Sequence, residues 1–133
     1  MHAQQLTAGI PKPVKIFTWI LICAGCFFFY VYTFHPGISF PNASLDTYSA
    51  KMGFASTGVR ILGSVLALLI SVIANNPRWL FITIISRVFI ELGDVIVGLL
   101  LDGVTANTIA LPILAAIEIW AVLKLWKVTN GNG

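Results

Sequence analysis

Five ionisable side chains stand inside apolar stretches of this sequence: Arg60, Arg87, Glu91, Asp94 and Glu118. The run "SRVFIELGD" (86–94) holds three of them. On a helix, Arg87, Glu91 and Asp94 share an arc of about 60°, with Gly98 on the same face. A second stripe, Gly53, Arg60, Ser64, Ala67 and Ser71, runs along the preceding apolar stretch. Small residues let helices approach and polar ones bond across the contact, so the two stripes are expected to face each other. Counting inward from the segment ends matches Arg60 with Asp94 at one depth and Arg87 with Glu118 at another. Glu91 falls one turn from Arg87.

Each such charge costs roughly 2.5–3.5 kcal/mol in mid-bilayer, on the order of 15 kcal/mol for five unpaired ones. Pairing must recover most of that cost. Two arginines face three carboxylates, so one acid, Glu91, has no dedicated arginine and is expected to hold a proton or meet a proton-bearing or cationic ligand. The network reads either as a structural device that fixes helix register or as a polar site in the bilayer.

"CAGC" (23–26) offers a different chemistry, because Cys23 and Cys26 have the CxxC spacing of thiol redox enzymes. The quinone-coupled disulfide-forming enzymes are similar to this chain in size and helix count alone. Here the pair sits mid-segment without a third cysteine, and a thiolate is hard to form in lipid. A redox enzyme therefore ranks behind the other readings. Trp19, Cys23, Cys26 and Tyr30 share a helical face, which is expected to pack as core and to wall any ligand pocket.

The remaining motifs carry little. "NAS" (42–44) is a glycosylation sequon on a loop, and His35 with Asp46 makes no metal site. Neither a phosphate-binding loop nor a nucleophile with its base occurs, so no catalytic residue, metal or cofactor is assigned.

The elements that must position these side chains follow from composition. The chain has 133 residues, 58% hydrophobic and only 10% charged. Soluble domains carry roughly a quarter charged residues, so this one is expected to face lipid. The net charge of +3 is spread without a basic patch, which fits a membrane surface and excludes nucleic acid. Four segments, 16–34, 52–74, 79–101 and 105–125, each reach the roughly 20 residues a span needs, and in lipid they should be helices. Pro112 is expected to break the fourth.

"ANNPR" (74–78) and "DGV" (102–104) are tight turns, whereas the loop after the first segment is long and holds two prolines. The expected fold is an all-α, antiparallel four-helix membrane bundle between tails 1–15 and 126–133. Lys12, Lys15, Arg78, Lys124 and Lys127 stand on one side against Lys51 on the other, so both termini are expected in the cytoplasm. Trp19, Trp79 and Trp126 lie towards that face.

"GVRILGSVLALLISV" (58–72) and "SRVFIELGDVIVGLLLDG" (86–103) together resemble small, uncharacterised four-helix bacterial inner-membrane proteins near the DoxX-like group. The recurring marks fall on Arg60, Arg87 and Asp94, and the resemblance covers about residues 50 to 125. It implies the fold and a bacterial inner-membrane location, and no activity. The four-helix multidrug exporters are similar in length, but their essential glutamate lies in a first helix that is uncharged here.

The expected function is binding of an amphipathic molecule, a lipid or a quinone, within the bundle. The alternative is a non-catalytic accessory subunit docked in a larger membrane complex or a homo-oligomer.

Overall fold

The computed structural model describes residues 8–40 and 44–131. Among them are four α-helices: α1 (Lys12–Phe34), α2 (Tyr48–Ile73), α3 (Pro77–Leu101) and α4 (Ala106–Asn130). Three helices, α1, α2 and α4, are long and apolar enough to cross a membrane. α3 has the length, 25 residues, but Arg87, Glu91 and Asp94 interrupt its apolar run. At about 1.5 Å per residue, helices of this size exceed a hydrocarbon core about 30 Å thick.

The core is largely apolar, but the outside is apolar as well and polar groups are drawn inward. Thr18, Ser71, Glu91, Thr108 and Glu118 are buried, while Phe27, Phe89, Leu100 and Leu101 point outward. Side chains as apolar as these face outward without cost only where the surroundings are apolar too. That pattern and the three long apolar helices are the marks of an integral membrane protein.

The helix ends depart from the expected segments. α1 starts four residues early, at Lys12, where the Lys15 N–H donates to the Pro11 carbonyl at 2.9 Å. Pro13 lies in that first turn, where a missing N–H breaks no helical bond. α4 runs unbroken through Pro112 and on to Asn130, so the proline does not end it and most of the expected 126–133 tail is helical. Pro112 stands in the second turn and deprives one carbonyl, that of Thr108, of its helical donor. Membrane helices tolerate such a loss. The Asn42 sequon lies outside the described residues.

The chain divides into two compact units, Ile16–Ile70 and a second made of Ser71–Gly133 with the segment up to Lys15. In the first, α1 and α2 meet through glycines: Gly25 lies against Val65, and Gly58 against Thr33. Tyr32 packs on Phe54 at 6.2 Å, and Phe40 from the connection touches both rings at 5.9 and 5.4 Å. Partners that advance along α1 retreat along α2, so the two helices form an antiparallel hairpin.

In the second unit two adjacent asparagines make the turn between α2 and α3. Asn75 takes a left-handed φ of 47° and donates to the Val72 carbonyl, while the Asn76 N–H reaches the Ser71 carbonyl. This closes α2 with a Schellman motif. The Asn76 side chain then caps α3, accepting from the Arg78 and Trp79 N–H groups at 3.0 and 3.1 Å, with Pro77 at the first helical position. The Asn75 side chain accepts from the Ile10 N–H at 3.2 Å, tying the segment before α1 to this turn.

At the other end of α3, Gly103 turns the chain at φ 71°, and Thr105 opens α4 through a capping box with Thr108. α3 and α4 pack antiparallel. Gly98 lies against Thr108, Arg87 bonds Glu118, and Phe81 stacks on Trp126 at 5.7 Å.

Candidate functional site

The α3–α4 seam is built from side chains spaced three, four or seven apart. α3 buries Leu80, Ile84, Val88, Glu91 and Val95, and α4 buries Thr108, Ala115, Glu118, Ala121 and Leu125. That spacing keeps one face of each helix on its neighbour. Two seam positions that apolar residues would ordinarily fill are therefore glutamates. Ala115 and Ala121 flank Glu118 on α4 and leave room beside it for the long side chain of Arg87.

The geometry centres on that arginine. Arg87 Nε donates to Glu118 Oε1 at 2.8 Å, and Arg87 Nη2 donates to Glu91 Oε1, also at 2.8 Å. Nε and Nη2 form one edge of the guanidinium, the edge that commonly grips a single carboxylate with two parallel bonds. Here the edge is divided, one N–H to each acid. The second oxygens, Oε2 of Glu91 and Oε2 of Glu118, are buried and find no hydrogen-bond partner among the described residues. Glu118 is wholly buried and Glu91 is 7% exposed.

Such a cluster is an acceptor. Ionised, its one guanidinium and two carboxylates sum to minus one. A buried polar atom without a partner costs about 1–3 kcal/mol, more when charged; the two carboxyls lie within hydrogen-bond reach of each other, so either a proton shared between them or a donor from outside must satisfy these oxygens.

The structure thus joins Arg87 to Glu118, as the depth count anticipates, and adds Glu91 to the same arginine. Glu91 does not lack an arginine; it shares one. The i,i+4 spacing of Arg87 and Glu91 carried that signal. Asp94 lies one turn further along α3 and is half-buried. Arg60 and Ser64 belong to α2, in the first unit, with Arg60 exposed and Ser64 half-buried. The buried face of α2 is Gly58, Val65, Leu68, Ser71 and Val72, so of the polar stripe only Ser71 is buried, with Arg60 and Ser64 on the flank.

The expected pocket wall on α1 is turned outward. Trp19, Cys23, Cys26 and Tyr30 are all exposed, and α1 buries Val14, Thr18, Leu21, Ile22, Gly25 and Val31 in their place. The reason is steric: the α1–α2 contact is made where glycines let the backbones close, and rings do not fit there. Tyr30 instead bonds His35 Nε2 at 3.0 Å near the end of α1. Trp19 and Cys23 line an open hollow of about 500 Å³ with Ile16, Ile20 and Ala24, apolar throughout and remote in kind from the charged seam. Both cysteines are free thiols.

Comparison with protein-family models, curated proteins and solved structures finds no match to this chain. The likeness to the DoxX-like group rests on its short motifs alone.

Proposed function

We propose that this chain is a membrane binding protein, whose Arg87–Glu91–Glu118 cluster receives the polar head of an amphipathic molecule, with the tail held among apolar side chains. The observation that supports it most is the pair of buried, unpartnered carboxylate oxygens on one divided guanidinium. A purely structural network gains most when every member is satisfied, and this one leaves two acceptors over. In this reading α3 is a fourth span with its charges turned from lipid. The helices form an antiparallel bundle in a bacterial inner membrane, with both termini in the cytoplasm.

The test is thermal stability of Glu91→Gln in detergent, beside mass spectrometry of the lipids that co-purify. The variant should lose retained amphiphile while keeping most of its stability. Loss of stability with unchanged lipid content would count against a binding site. For the topology, Asn42→Cys and Asn130→Cys should label from opposite sides of the membrane; labelling from one side refutes it.

The accessory-subunit reading draws on a different feature, the open apolar hollow along α1. It predicts co-migration of the gently extracted protein with a larger membrane assembly.

A further inference from the structure

We propose that the occupant of the cluster carries a protonated amine on an apolar tail, two of whose N–H groups bond the second carboxylate oxygens of Glu91 and Glu118. The proposal rests on the reading above, that the cluster receives an amphipathic molecule, and names the chemistry of its head.

Four features lead there. First, both unfilled positions are acceptors on buried carboxylates, Oε2 of Glu91 and Oε2 of Glu118, so the occupant must donate. Oxidised quinones and other acceptor-only heads offer no N–H or O–H. Second, the triad sums to minus one when ionised, which an ammonium neutralises and an anionic head would worsen. Third, an ammonium has three donors, enough for both oxygens at once, whereas a single hydroxyl satisfies one.

Fourth, a metal cation is a poorer fit. Hard cations take about six or more oxygen ligands, whereas the cluster offers two, and no group of three His, Cys, Asp or Glu among the described residues is arranged to hold a metal.

Entry is graded in the same direction. The Arg87 side chain is 16% exposed, that of Glu91 9%, and that of Glu118 not at all. An amine therefore meets Glu91 first and Glu118 last. The side chains beside the acids that face outward, Ile90 and Leu92 on α3 and Ile117 and Ile119 on α4, are apolar. A small free amine gains nothing from them, and one with an alkyl tail does.

The experiment uses the whole chain in nanodiscs of phosphatidylcholine, whose trimethylammonium head has no N–H to compete. Three probes with matched twelve-carbon tails are titrated by native mass spectrometry: dodecylamine, dodecyltrimethylammonium and a dodecyl-substituted benzoquinone. The expected result is saturable dodecylamine binding, about tenfold or more tighter than either other probe and weakened about tenfold by Glu91→Gln. Equal binding of the trimethylammonium probe overturns the hydrogen-bonded head, because charge alone then suffices. A quinone that binds more tightly than the amine overturns the amine while leaving an amphipathic occupant in place. Saturable binding of none of the three overturns both. Should Glu91→Gln fail to fold, the three-probe comparison on the unaltered chain decides the matter by itself.

Discussion

Replacing Arg87 by alanine tests the divided guanidinium most directly. The change removes the donor from Glu91 Oε1 and Glu118 Oε1 together, leaving two carboxylates buried at the α3–α4 seam. Breaking a buried pair from one side costs about 3–5 kcal/mol, a shift of roughly 10²–10⁴ in the ratio of folded to unfolded protein. The damage should fall unequally, since the Glu118 side chain is fully buried and that of Glu91 is 9% exposed. Adding Glu118→Gln to Arg87→Ala should therefore recover half or more of the loss, and more than adding Glu91→Gln recovers. Glu118→Gln alone leaves the Arg87–Glu91 bond standing and should cost only about 1–2 kcal/mol. The assay is unfolding from mixed micelles by increasing SDS, followed by far-ultraviolet circular dichroism, for all variants of the cycle. Strictly additive losses in Arg87→Ala/Glu118→Gln would refute the shared bond, because residues in contact couple by about 0.5–3 kcal/mol.

Three further outcomes follow from the fold. Gly25→Ala should destabilise by about 1–3 kcal/mol in the same unfolding assay, because the new methyl meets the branched side chain of Val65; Val65→Ala should relieve it, and Gly63→Ala, where space is open, should be neutral or better. Asn76→Ala should cost about 1 kcal/mol through loss of the α3 cap, read by circular dichroism melting, with Asn76→Asp close to unaltered. Changing Cys23 and Cys26 together to serine should leave stability and retained lipid unchanged, since both point outward; a change in either would revive a role for the pair.

Sequence reading reached the helices and the turns because hydropathy and turn chemistry each have one interpretation here. Long charge-free runs make helices in lipid, and "ANNPR" supplies a left-handed position, a cap and a proline in order. It reached the Arg87–Glu118 bond because depth along antiparallel segments is a matter of counting. The facing of α1 was not legible in the same way. In water an apolar face points inward, but in lipid both inside and outside are apolar, so the stripe of Trp19, Cys23, Cys26 and Tyr30 carried no direction. The usable signal was the small residues Gly25 and Gly58, which mark where backbones close. The extension of α4 past Leu125 was hidden because Lys124, Trp126 and Lys127 read as the edge of a span, although such residues lie equally well on a helix that leaves the membrane.

Placing the partner of a buried arginine on the next helix has a consequence for how the protein is made. Arg87 lies in α3, but Glu118 is not synthesised until 17 residues after Leu101, the last residue of α3. A helix carrying three charges at roughly 2.5–3.5 kcal/mol each is a poor candidate to leave the insertion machinery for lipid by itself. If α3 is the fourth span proposed above, it would wait at the translocon, or in the aqueous interface beside it, until α4 emerges, and the two would enter as one hairpin. The seam would be assembled at the ribosome's pace, with Glu118 as the residue whose arrival releases the pair.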